Sequence, residues 1–145
     1  GRFGPLQGEV QLDRAARRGR VQLAIDTAAV STGVPVLDAR LRQDDMLASA
    51  AHPQAFFVAE AITFDASGGV AALTGEFTLR GTSRSLRLQA ERFRCYTSPL
   101  LRREVCGGDF SAVLSRSAFG ITHSLPFVAD TVRLLVQVEA IRQDP

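Results

Sequence analysis

Residues Leu73 to Leu88 read LTGEFTLRGTSRSLRL. Leu73, Gly75, Phe77 and Leu79 alternate with Thr74, Glu76, Thr78 and Arg80. After the polar turn at residues 81–84, Leu86, Leu88 and Ala90 alternate with Arg87 and Gln89. Successive side chains of a strand point to opposite faces, so a period of two marks a strand with one buried face. Two such runs joined by a tight polar connection read as an antiparallel hairpin, which sets the class as all-β.

The same alternation extends in both directions. Leu6, Gly8, Val10 and Leu12 give a first strand, and an Arg-rich turn over residues 13–19 leads to a second with Val21, Leu23 and Ile25. Arg14, Arg17, Arg18 and Arg20 read as a solvated rim. Residues 52–64 predict a third strand, with Pro53 suited to its first position. Ala55, Phe57, Ala59 and Ala61 then share one face, and Phe56, Val58, Glu60 and Ile62 the other. The alanines either let a neighbour pack closely or leave room for a ligand. Downstream, strands are expected over residues 70–80, 85–95, from Phe110 through Leu114 and on into residues 116–120, and 131–140. The last puts Val132, Leu134, Val136, Val138 and Ala140 on one face. Residues 65–69 read as a turn, residues 96–103 as a loop, and Gly107-Gly108 as a further turn.

One helix interrupts the strands. Ser31-Thr32-Gly33 offers capping chemistry, Pro35 suits a first helical turn, and Val34, Leu37, Leu41, Met46 and Leu47 make an apolar stripe. The stripe predicts a lid over one end of a barrel. About seven strands and one helix, with no βαβ rhythm, point to antiparallel meander connections.

The length of 145 residues fits a single domain, 1–145, and an apolar fraction of 46% supports a real core. No window approaches the 18 or so apolar residues of a helical membrane span, and no hydrophobic signal core opens the chain. The opening GRFGPLQGEV is expected to follow either a removed signal peptide or a trimmed start. All 17 basic residues are Arg, although the net charge is only +2. Coding bias explains this simply; recognition of planar anions by Arg is the functional alternative. A single Tyr and no Trp argue against a stacking platform for nucleic acid.

Cys95 ends a strand-like run and Cys106 precedes the next. At the base of a hairpin the two can face each other as a disulfide, which implies an oxidising compartment; two free buried thiols are the alternative. Catalytic constellations are scarce. HExxH, GxSxG, P-loop and GxGxxG motifs are absent, and the only histidines are His52 and His123. Asp44 and Asp45 are adjacent on the helical segment and point apart. No Cys/His/Asp grouping has metal-ligand spacing. The inner face therefore reads either as a filled core or as the wall of a cavity for one elongated apolar ligand.

Several segments in order resemble the YceI-like family, lipocalin-like polyisoprenoid-binding proteins of bacteria. They are GRFGPLQGEVQLD at the start, IDTAAVSTG (residues 25–33), LRQDDMLASAAHPQAFF (41–57), LTGEFTLRGTSRSLRL (73–88), SRSAFGI (115–121) and ADTVRLLVQVEA (129–140). His52 stands where the family has Phe before Pro53, Ala118 where it has Asp, and Arg80 and Arg84 where Lys is common. The cysteine pair is not general to the family, and the family's first strand would precede Gly1.

The resemblance implies an extended antiparallel β-barrel of about eight strands, lacking that first strand, with the short helix as a lid. It implies a periplasmic or secreted, non-enzymatic protein that binds, transports or stores a polyisoprenoid, quinone or fatty-acid-like lipid, with no other cofactor. The expected lining is Ala55, Phe57, Ala59, Leu73, Phe77, Leu79, Leu86, Leu88, Phe110, Leu114, Leu134 and Val136, with Leu37 and Leu41 closing one end. An Arg at the mouth would meet a phosphate head. Expected partners are the apolar lipid, membrane-associated donor or acceptor proteins and a second copy in a homodimer, with no nucleic acid. The alternative is a stress-response or protein-interaction module whose outer face presents Phe56, Val58 and Ile62.

Overall fold

The computed structural model describes residues 1–143. Seven strands form one antiparallel sheet in chain order. They are β1 (Gln7–Asp13), β2 (Arg18–Asp26), β3 (Gln54–Phe64), β4 (Val70–Leu79), β5 (Thr82–Thr97), β6 (Glu104–Ser115) and β7 (Thr131–Ile141). The sheet curls into a half-barrel around one apolar cluster. The β4–β5 hairpin has the register its alternation demands, with Leu73 opposite Leu88 and Gly75 opposite Leu86. The hairpins at residues 14–17, 65–69 and 98–103 lie at one end, here the lower. The long β2–β3 and β6–β7 connections cover the upper end.

Three strands depart from strict alternation. The β3–β4 register shifts between Ala59 and Ala61, with the extra residue in β3, and between Thr63 and Phe64, with the extra residue in β4, and the β5–β6 register shifts between Ala90 and Arg92. An extra residue in one strand turns every side chain beyond it to the opposite face. Ala61 is therefore exposed rather than on the face of Ala55, while Ile62 packs against the core. Phe93 turns inward for the same reason. The expected outer patch of Phe56, Val58 and Ile62 is correspondingly reduced to exposed Phe56 and half-buried Val58.

The alanines of β3 serve close packing at one point. Ala59 is completely buried and pairs with Gly75, and a Cβ on Gly75 would run into the Val58 carbonyl and Ala59 Cα. Small residues on both strands thus permit the approach.

Gly107 and Gly108 are not a turn. Both lie inside β6, with Gly108 paired to Phe93 on one side and Val138 on the other. A Cβ on Gly108 would sit 2.5 Å from the Arg92 carbonyl oxygen, so the close approach of the bulged β5 requires glycine.

The helix is shorter and more exposed than its stripe suggested. α1 (Pro35–Leu41) buries no residue, and Leu37 is 44% exposed. With only seven residues, its regular structure ends before Met46 and Leu47, and those two pack on the core from the turns that follow. Its start is held not by a side-chain cap but by Asp38, whose carboxylate accepts from the Thr32 amide at 2.8 Å and hydroxyl at 2.6 Å. That bonding keeps the Asp38 pKa below the usual carboxylate range.

Candidate functional site

The inner face divides into a filled upper half and a looser lower half. In the upper half Phe57, Phe77, Leu79, Leu86, Leu114 and Phe119 are buried in one cluster. Ile121, from the β6–β7 connection, joins them. Burying each such side chain contributes about 1.5–3 kcal/mol, so this packing is the main stabilising element at that end.

The lower half contains a void of about 50 Å³. It is bounded by Val10 and Leu12 of β1, Val21 and Leu23 of β2, Ile62 of β3, and Val70 and Leu73 of β4. Phe93, Cys106, Gly107, Gly108, Phe110, Val138 and Ala140 complete the wall. The lining is almost wholly apolar and has room for a few water-sized groups. Gly108, in phase with the inward Phe110, brings no side chain to this end.

Of the expected lining, only Leu73 and Phe110 border the void. Ala55, Phe57, Ala59, Phe77, Leu79, Leu86, Leu88 and Leu114 are buried in the core, with Leu134 and Val136 packed against it. Leu41 is half-buried. The wall residues missing from the expectation include Ile62 and Phe93, which the bulges turn inward. Their signal was an apolar residue out of phase with the run before it.

Among the described residues the sheet order runs from β1 to β7 without a β7–β1 ladder. The inward residues of these two edge strands are half-buried, including Val10, Leu12, Val136, Val138 and Ala140, whereas Val21 and Leu23 of β2 are buried. A greasy seam therefore runs down the open side of the half-barrel. At its lower end the Arg14 guanidinium meets the Glu104 carboxylate at 2.8 Å, joining the β1–β2 hairpin to the start of β6. Cys95 and Cys106, directly opposite in the ladder, form a disulfide in the wall.

Polar chemistry lies outside this interior. Arg116 is buried, a feature its sequence position in a polar strand end did not signal. Its guanidinium donates to the carbonyls of Ala129, Ile121, His123 and Val128 at 2.8–3.1 Å, so the β6–β7 connection folds around it. Arg80 spans the upper end by donating to the carbonyls of Phe119 and Asp44. His123 is half exposed, with Nδ1 3.7 Å from Asp45. Asp45 is engaged by both Arg40 terminal nitrogens at 2.6 and 2.7 Å, which lowers its pKa to about 2. Among the described residues, no three His, Cys, Asp or Glu side chains are grouped to hold a metal.

The sequence pattern described as a YceI-like domain matches residues 1–140. The chain belongs to the YceI-like family. A UPF0312 protein of Pseudomonas aeruginosa is 31% identical over 144 residues, covering 99% of this chain and 74% of the relative. Protein YceI of Escherichia coli O157:H7 is 26% identical over 144 residues, with the same coverage of 99% and 74%. The crystal structure of a Campylobacter jejuni YceI protein superposes with a TM-score of 0.82 at 21% identity, covering 99% of this chain and 84% of that one. The YceI-like fold is thus shared by a protein of low identity.

Proposed function

We propose that this half-barrel binds an elongated apolar lipid, such as a polyisoprenoid, quinone or fatty-acid-like chain, and performs no chemistry on it. One observation carries the reading: an unfilled apolar void of about 50 Å³ lies inside the lower half of the half-barrel. The void takes one end of a chain, and the rest extends along the inner face past Val136 and Leu134. Each methylene removed from water adds roughly 0.8 kcal/mol, so affinity grows with the length covered. The expected lining deeper in the upper half becomes ligand wall only where the packing around Phe77 opens.

The Cys95–Cys106 disulfide supports residence in the periplasm or outside the cell, where such bonds persist. Carriage between membrane-associated donor and acceptor proteins, storage and a homodimer remain parts of the proposal.

Solvent extraction of the purified protein, followed by mass spectrometry, tests the reading. A co-purifying isoprenoid or other long-chain lipid is expected, and Val138→Phe, which fills the void from an edge strand, should reduce it severalfold. An empty extract, together with no binding of an added fluorescent polyprenyl probe, would sink the reading.

A further inference from the structure

We propose that the lower end of the half-barrel is a docking surface for an anionic lipid bilayer. The tip of the β5–β6 hairpin presents Leu100, 94% exposed, and Leu101, 50% exposed. This exposure belongs to an ordered turn. The Ser98 amide donates to the Arg103 carbonyl at 2.9 Å, the Arg102 amide to the Ser98 carbonyl at 2.8 Å, and the Leu101 amide to the Ser98 hydroxyl at 3.2 Å. The Cys95–Cys106 disulfide clamps the stem just above the tip. Both leucines are thus held out from the protein, with no fold of the hairpin to cover them. Tyr96, 40% exposed on the same stem, donates its hydroxyl to Glu139 and has the Arg94 guanidinium 5.1 Å from its ring centre. An aromatic ring with a polar tip suits the level of lipid head groups.

Charge around this apolar tip is mainly positive. Arg14, Arg17 and Arg18 come from the β1–β2 hairpin, and Arg102 and Arg142 from the hairpin tip and the end of β7. The contacts bring these segments together: Arg14 bonds Glu104, Arg17 reaches the Asp65 carbonyl, and the Arg142 amide donates to the Glu104 carbonyl. Among the described residues, with Arg94 they outnumber the acids of this end, Asp13, Asp65, Glu104 and Glu139. Glu104 is engaged by Arg14, and Asp65 is turned onto Ser67 and Gly69. An apolar prow ringed by cations complements an anionic membrane, where leucines enter the acyl boundary and arginines meet phosphates. The void lies at this same end, so a docked molecule holds it next to the bilayer. Exposure and charge carry this proposal without the carrier reading.

The test is co-sedimentation of the full chain with phosphatidylethanolamine vesicles containing about one quarter phosphatidylglycerol, against neutral phosphatidylcholine vesicles. Binding is expected only to the anionic vesicles, and it should fall sharply at about 0.5 M salt. Leu100→Ser with Leu101→Ser should weaken binding by roughly tenfold or more, as should Arg18→Glu with Arg102→Glu. All four positions are exposed, so thermal unfolding should hardly move. Failure of the unaltered chain to bind anionic vesicles, or binding untouched by both double variants, would overturn the proposal. Vesicle binding that persists in a protein found empty of lipid counts against the carrier reading alone. Lipid retained by a protein that ignores vesicles counts against the docking surface alone.

Discussion

The rings of Phe77 and Phe119 meet edge to face, with centroids 5.6 Å apart and planes at 75°. Phe77 comes from β4 and Phe119 from the 3-10 turn Arg116–Phe119 after β6, so the contact joins the sheet to the connection over its upper end. It helps fill that half of the interior while the half containing Gly107 and Gly108 keeps a void.

Phe119→Ala tests this plug. Phe119 is 3% exposed, and removing its ring should cost about 3–5 kcal/mol of stability through lost burial and the cavity left behind. Chemical denaturation measures the loss. A cost below about 1 kcal/mol would show that the upper half collapses freely.

Arg116 should be as sensitive as a core residue although it is charged. Arg116→Met keeps much of the volume but leaves carbonyls of Ala129, Ile121, His123 and Val128 without their donor. A loss of about 3 kcal/mol is expected, with faster amide exchange confined to residues 121–130. Unchanged exchange there would contradict the role.

The disulfide closes a short loop, with Cys95 and Cys106 separated by 11 in sequence. Replacing both by Ser should lower stability by about 2–3 kcal/mol in the chain-entropy view. Denaturation of the unaltered chain with reductant should give the same loss. No difference between oxidised and reduced protein would argue against it.

Asp45 provides the pH test. Its pKa falls from 3.8 to about 2 because the Arg40 guanidinium hydrogen-bonds its carboxylate. A carboxyl held below its unfolded value adds its contribution above that value and loses it as pH drops through the folded one. The Arg40 contact should therefore be intact above about pH 4 and release toward pH 2. Carboxyl carbon resonances followed by NMR should give that midpoint, and Arg40→Met should return it toward the ordinary range. An unshifted midpoint in the native protein would refute the pairing.

Much of the architecture was legible because alternation is a local consequence of strand geometry. The β4–β5 hairpin and the inward sets of β1, β2 and β7 follow from it, whereas Cys95 shares a face with Cys106 only because of the bulge between Ala90 and Arg92. The helix illustrates the limit. An apolar stripe was present, but Leu37 found no surface to cover, and Met46 and Leu47 reached the core from turns beyond the helix. Arg116 also escaped notice, since nothing in its neighbours reveals that four carbonyls will converge on it.

By itself the sequence determined an antiparallel β domain and which residues of the unbulged strand segments face inward, because period two is written into each strand. Only the tertiary structure decided where the interior is empty. That depends on bulges in β3 and β5 that turn Ile62 and Phe93 inward, and on Gly107 and Gly108 meeting across the sheet from residues distant in the chain. Packing between strands, rather than any pattern along one of them, leaves the void beside the seam.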